Sequence, residues 1–135
     1  MRSPEEKREA QKQRRLAKKD VPQMDGTEFK NVCIDTIQKY ELAFTQLEAE
    51  NPKGKLEVKR ASPLELQVLI KSLGTYKFYV DEQEQQFFLQ SPESGLHNYK
   101  WDGDNQQWKS ISQVHFMEEL LLREVTPKTN GMLTL

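Results

Sequence analysis

The stretch Phe88-Leu89-Gln90-Ser91-Pro92-Glu93-Ser94-Gly95, followed by Tyr99-Lys100-Trp101 and then by Trp108, decides the fold. Small residues, Pro and Gly between two aromatic runs make a tight turn. Tyr99 and Trp101 alternate, so they share one strand face and reach toward a core. Residues 86–90 and 97–101 therefore read as neighbouring strands. Asp102-Gly103-Asp104-Asn105 is a second turn, and residues 107–111 form a further strand. Upstream, Leu56-Glu57-Val58-Lys59 alternates, as do Leu64, Leu66, Val68 and Ile70, and then Tyr76, Phe78 and Val80. Period-two alternation is the mark of half-buried strands. Six short strands joined by short links favour an antiparallel sheet.

Helical patterns flank the strands. Phe29, Cys33, Ile37, Tyr40, Phe44 and Leu47 recur at spacings of three and four, one buried helix face. Asp25 with Glu28 three later is a capping box for it, and Asn51-Pro52-Lys53-Gly54 ends it. Ser112 caps a final helix with an inner face of Val114, Met117, Leu120, Leu121 and Val125. Pro127 marks its end, and the tail to Leu135 has no clear structure. The expectation is an α+β two-layer sandwich: two helices on one face of a roughly six-stranded antiparallel sheet. It divides into a basic helical arm (1–23), the domain (24–126) and a C-terminal tail (127–135).

The chain has 135 residues, enough for one domain and one core. No apolar run approaches the roughly 20 residues that span a bilayer. No secretory h-region follows Met1. One cysteine, Cys33, cannot form an internal disulfide, which suits a reducing compartment. Cys33 falls on the apolar helix face, a core position. The net charge of −1 conceals an asymmetry: residues 1–20 carry +4 and the remainder −5. Pro4, the early glutamates and the later Arg8, Lys12, Arg14, Arg15, Lys18 and Lys19 read as a helix over 4–19. It has almost nothing to bury and is marginal alone. Such arms seek phosphate backbones or acidic protein surfaces, or serve as a solvated, solubilising face.

Catalytic signals are sparse. His97 and His115 have no metal-ligand spacing and read as surface or capping residues. No Gly-rich phosphate loop and no Ser nucleophile elbow appears. An enzyme is the lesser reading.

Gly74-Thr75-Tyr76, Phe88-Leu89-Gln90-Ser91-Pro92, Ser94-Gly95, Tyr99, Trp101 and Trp108 resemble the frataxin family, in residues and in element order, over about 24–126. The resemblance implies a mitochondrial protein of the matrix side, weak iron binding, and assistance to iron–sulfur cluster assembly. Two features carry those activities in the family. The first is an acidic ridge on the first helix and first strand. Here Asp25, Glu28 and Asp35 are its metal candidates, but Lys39 shares their face, and Lys53, Lys55, Lys59 and Arg60 outnumber Glu57 on the strand. Nearby ammonium groups oppose a hard cation. The second is the sheet surface that meets the cluster scaffold. The family's exposed Trp falls at Phe88, its exposed Arg at Asn98, and a polar residue at Tyr79, while Gln86 is retained. Alternation puts Tyr79, Phe88 and Asn98 on the outer face, beside Lys77 and Lys100.

Three functions follow. The first is a non-catalytic interaction protein, a structural subunit of a larger mitochondrial assembly, with protein partners on the sheet face at Tyr79, Gln86, Phe88, Asn98 and Lys100. It needs no cofactor. The second is a divergent frataxin with weak iron at Asp25, Glu28 and Asp35. The third is an RNA-contacting subunit using the arm and the exposed aromatics. None spans a membrane.

Overall fold

A computed structural model describes residues 24–135. The arm with Arg8, Lys12, Arg14, Arg15, Lys18 and Lys19 lies outside the described residues. The elements are α1 (Gly26–Ala49), β1 (Leu56–Ser62), β2 (Glu65–Ile70), β3 (Gly74–Asp81), β4 (Gln86–Ser91), β5 (Gly95–Asp102), β6 (Gln107–Ser110) and α2 (Met117–Val125). A short 3₁₀ turn, Thr126–Lys128, follows. The six strands lie in sequence order and every neighbouring pair is antiparallel. Two helices cover one face, which is the α+β sandwich the sequence predicts.

Helix α1 starts where Asp25 accepts the Thr27 N–H on its side chain at 2.7 Å. Its buried face is Phe29, Cys33, Thr36, Ile37, Tyr40, Ala43, Phe44 and Leu47. Cys33 is fully buried, and burial pushes its thiol up to about 12, so it stays a neutral core side chain. Leu66, Val68, Tyr76, Phe78, Phe87, Leu89 and Tyr99 face the helices. Trp108 closes one end: its indole N–H donates to Thr36 Oγ1 at 2.9 Å, and its ring meets Phe29, Phe87 and Trp101. Gly74 opens β3 at φ +134°, and a Cβ there would stand 2.6 Å from the Pro92 ring. Only glycine fits, which ties the start of β3 to the β4–β5 turn.

The second helix begins later than expected. Ser112 does not cap it, and Val114 is 99% exposed rather than inward. After β6 the chain keeps pairing backward: the Ser110 N–H donates to the His115 carbonyl, and Lys109 bridges Phe116. Residues 111–115 are consumed by that loop, so the helix starts at Met117. Glu119 closes its first turn by accepting the Phe116 N–H at 2.8 Å. Met117, Leu120, Leu121 and Val125 face inward as predicted.

The tail is not structureless. Asn51 of the α1–β1 turn donates to the Asn130 carbonyl and accepts the Asn130 N–H, at 2.9 and 2.7 Å. Leu133 is buried in the core. The signal was a single leucine and an asparagine far apart in sequence, which no periodicity reveals.

Candidate functional site

Alternation sends Phe78, Leu89 and Tyr99 inward and their neighbours outward. On the outer face Tyr79 of β3 stands opposite Phe88 of β4, and Phe88 stands opposite Asn98 of β5. The Tyr79 and Phe88 rings are stacked, centroids 5.2 Å apart and 17° from coplanar. Both are half-buried, with their rims open. Asn98 Nδ2 donates to Gln86 Oε1 at 3.2 Å, which lines two side-chain amides along the aromatic pair. Lys77 and Lys100 are exposed on the same face. The structure thus brings Tyr79, Gln86, Phe88, Asn98 and Lys100 together.

Beside Tyr79 a groove of about 420 Å³ runs between Ser62, Leu64, Glu65, Lys77, Val80 and Glu82. The bulge between Arg60 and Ser62 shapes its wall. Arg60 itself turns to the helix side and pairs with Glu41 at 2.7 Å.

Asp25, Glu28 and Asp35 are exposed on α1. Asp25 spends an oxygen on the helix cap. Glu28 and Asp35 are seven residues apart, about 10 Å along the axis. Among the described residues no three His, Cys, Asp or Glu side chains gather as a metal-holding group. Lys39 pairs with Glu118 of α2 at 2.8 Å, tying the two helices together.

The two histidines differ from the sequence expectation. His97 is buried and His115 half-buried; His97 belongs to a polar network under α2, and His115 bonds separately to Tyr99. Glu124 is the hub of the network, only 5% exposed. It accepts from Tyr76 Oη at 2.9 Å, Ser91 Oγ at 2.6 Å and Ser94 Oγ at 2.5 Å. Ser94 Oγ is also 2.8 Å from His97 Nε2. The hydroxyl has one proton, given to Glu124, so His97 must be the donor in that bond. His115 Nε2 lies 2.9 Å from Tyr99 Oη. Burial and then Glu124 hold the Tyr76 phenol above its ordinary value. Burial, and next the charge of His97, hold the His115 imidazole below its ordinary value. The arrangement is no Ser–His–acid triad, because the serine, not the histidine, bridges the other two. Its action is to bolt α2 to the β4–β5 turn. One signal pointed to it: Glu124 sits four after Leu120 and three after Leu121, on the apolar stripe of α2.

A model of the frataxin-like domain matches residues 22–131. Among curated proteins none matches in sequence. Solved structures agree in fold. Frataxin from Psychromonas ingrahamii superposes with a TM-score of 0.66 at 14% identity, over 83% of this chain and 100% of its own. Trimeric frataxin from the yeast Saccharomyces cerevisiae, complexed with ferrous iron, gives 0.62 at 19%, over 88% and 98%. A further yeast frataxin structure gives 0.65 at 18%, over 84% and 90%. With the family model covering most of its length, and the six-stranded meander under two helices in place, this chain belongs to the frataxin family.

Proposed function

We propose that this chain is a non-catalytic interaction protein, a structural subunit of a larger mitochondrial assembly, and that it docks through the outer face of its sheet. The stacked Tyr79–Phe88 pair carries the reading. One exposed aromatic on a sheet needs no explanation. Two packed against each other, beside two amides and two lysines, form a patch suited to a partner. Members of the family bind iron and assist iron–sulfur assembly, and in eukaryotes they are generally mitochondrial. The fold alone does not bring that function here, because function rests on sites.

The test is Phe88→Ala in the full chain. An interface aromatic often costs about 2 kcal/mol or more when truncated. The variant should stay folded, losing no more stability than the half-buried ring and its stacking on Tyr79 supply, yet lose its main association by at least tenfold when the native complex is purified. Normal assembly by a well-folded Phe88→Ala protein refutes the reading.

A second reading is a divergent frataxin that binds ferrous iron weakly at Asp25, Glu28 and Asp35. The exposed carboxylates of α1 favour it. Anaerobic calorimetry with ferrous iron distinguishes the two. A saturable micromolar site lost on Asp35→Ala or Glu28→Ala establishes the iron reading and displaces the structural one.

A further inference from the structure

The outer face is not uniform in charge, and this identifies the chemistry of what covers it. At one end, the groove beside Tyr79 holds the carboxylates of Glu65 and Glu82, with Lys77 as the single cation. At the other end Lys100 of β5 stands directly opposite Lys109 of β6. Like charges in direct cross-strand register are destabilising, so the sheet gains nothing from this pair. Among the described residues the ion pairs are Lys39–Glu118 and Arg60–Glu41, both away from this face. On β1, beyond the groove, Glu57 and Lys59 both alternate outward and offset each other, while Glu65 also accepts the Gln67 side-chain amide at 3.2 Å. Asp81 and Asp102, near the face, are engaged locally. Asp81 accepts the Gln83 and Glu84 N–H groups, and Asp102 accepts from Asp104 and Asn105. Between the charged ends run Tyr79, Phe88 and Asn98 in one cross-strand row.

We propose that the occupant of this face is an extended protein segment of two-signed charge, laid across the strands. A basic side chain enters the groove at Glu65 and Glu82, an aromatic or aliphatic residue covers Phe88, and an acidic side chain meets Lys100 and Lys109. The inference rests on the docking role proposed above and names the partner. Neighbouring strands are about 4.8 Å apart, so from β2 to β6 the charged ends are about 19 Å apart. At about 3.3 Å per residue an extended segment spans that in about six residues. Single-stranded nucleic acid has stacking surfaces that suit the aromatics. Its phosphates are of one sign, however, and the groove carboxylates repel them.

The test uses the full chain, labelled with ¹⁵N, and four probes. One is a nine-residue peptide with two arginines at one end, two aspartates at the other and a tryptophan between. The others are its all-arginine and all-aspartate counterparts and a nine-nucleotide oligouridine. Amide shifts on β3, β4 and β5 report binding. The two-signed peptide should bind at least fivefold more tightly than the other three. Glu65→Lys with Glu82→Lys should weaken it at least fivefold, as should Lys100→Glu with Lys109→Glu. All four changes together should restore it, because a peptide can lie in either direction on a face whose two ends have exchanged sign. That restoration separates charge recognition from mere loss of structure. Tighter binding of oligouridine overturns the inference in favour of nucleic acid. Failure of the fourfold variant to recover, or no discrimination among the probes, also overturns it. In that last case a native complex still lost on Phe88→Ala leaves the docking role standing and this partner chemistry wrong.

Discussion

Replacing Glu124 by alanine should be the most damaging change on the sheet side of α2. The carboxylate is 5% exposed and takes three hydroxyl donors, from Tyr76, Ser91 and Ser94. A hydrogen bond to a charged group nets about 1.5–3 kcal/mol, and an orphaned buried donor costs about 1–3 kcal/mol. The three do not count equally. Ser94 lies at the surface and can turn to water, whereas Tyr76 is fully buried and Ser91 nearly so. Two donors stranded in the interior give about 3–5 kcal/mol, with the carboxylate's own burial cost offsetting the third. For a domain of this size each kcal/mol moves the melting point by about 4 °C. Glu124→Ala should therefore melt at least about 12 °C lower, measured by circular dichroism at pH 7. Glu124→Gln keeps one carbonyl acceptor and should lose about half as much. The exposed neighbour change Arg123→Gln should stay within about 0.5 kcal/mol. If Glu124→Ala melts within about 3 °C of the wild type, the network is decoration, and α2 is held by its leucines alone.

Further outcomes follow from other contacts. The His115 imidazole is held below its ordinary value, so the unfolded chain takes the proton first as pH falls. Stability present above about pH 6.5 should decline on acidification, and urea midpoints for His115→Gln should fall less steeply between pH 7.5 and 5.5. Truncation after Lys128 removes buried Leu133 and the two Asn51–Asn130 bonds, and chemical denaturation should show a loss of about 2–4 kcal/mol. An unchanged midpoint would mean that the tail is not docked in solution.

The meander was legible because each strand alternates against its own neighbours. Tyr76, Phe78 and Val80 need no distant partner to declare a face, and the strand bounds came out within two residues except at the end of β1, which runs on through the bulge to Ser62. The first helix was legible for the same reason, through Phe29 to Leu47. What the sequence hid is what depends on long-range pairing. Ser112 has the look of a cap, yet the Lys109–Phe116 bridge had already claimed the following loop. His97 and His115 read as surface or capping residues, because what holds them is set by tertiary packing: Ser94 of the β4–β5 turn, itself bonded to Glu124 of α2, for His97, and Tyr99 of β5 for His115. The outer-face residues were placed by parity alone. Their stacking and the groove beside them needed coordinates.

The same motif that fixes the fold also fixes which ring is presented. Phe87 and Phe88 are adjacent, and a one-residue slip of β4 would exchange them. Register is pinned at the turn that follows. Gly74 is pressed against Pro92, and Ser91 and Ser94 are bolted to Glu124. With that turn held, Phe87 pairs with Tyr99 on the inside, against Trp108 at 4.9 Å between ring centroids, and Phe88 pairs with Asn98 on the outside. The two truncations should therefore differ in kind. Phe87→Ala removes a fully buried ring and should cost about 3–5 kcal/mol by thermal or urea unfolding. Phe88→Ala loses its stacking on Tyr79, about 0.5–1.5 kcal/mol beyond the ring's partial burial, and leaves the core intact. If the losses are equal, or Phe88→Ala is the worse, then β4 sits one residue out of register and the docking face belongs to other residues.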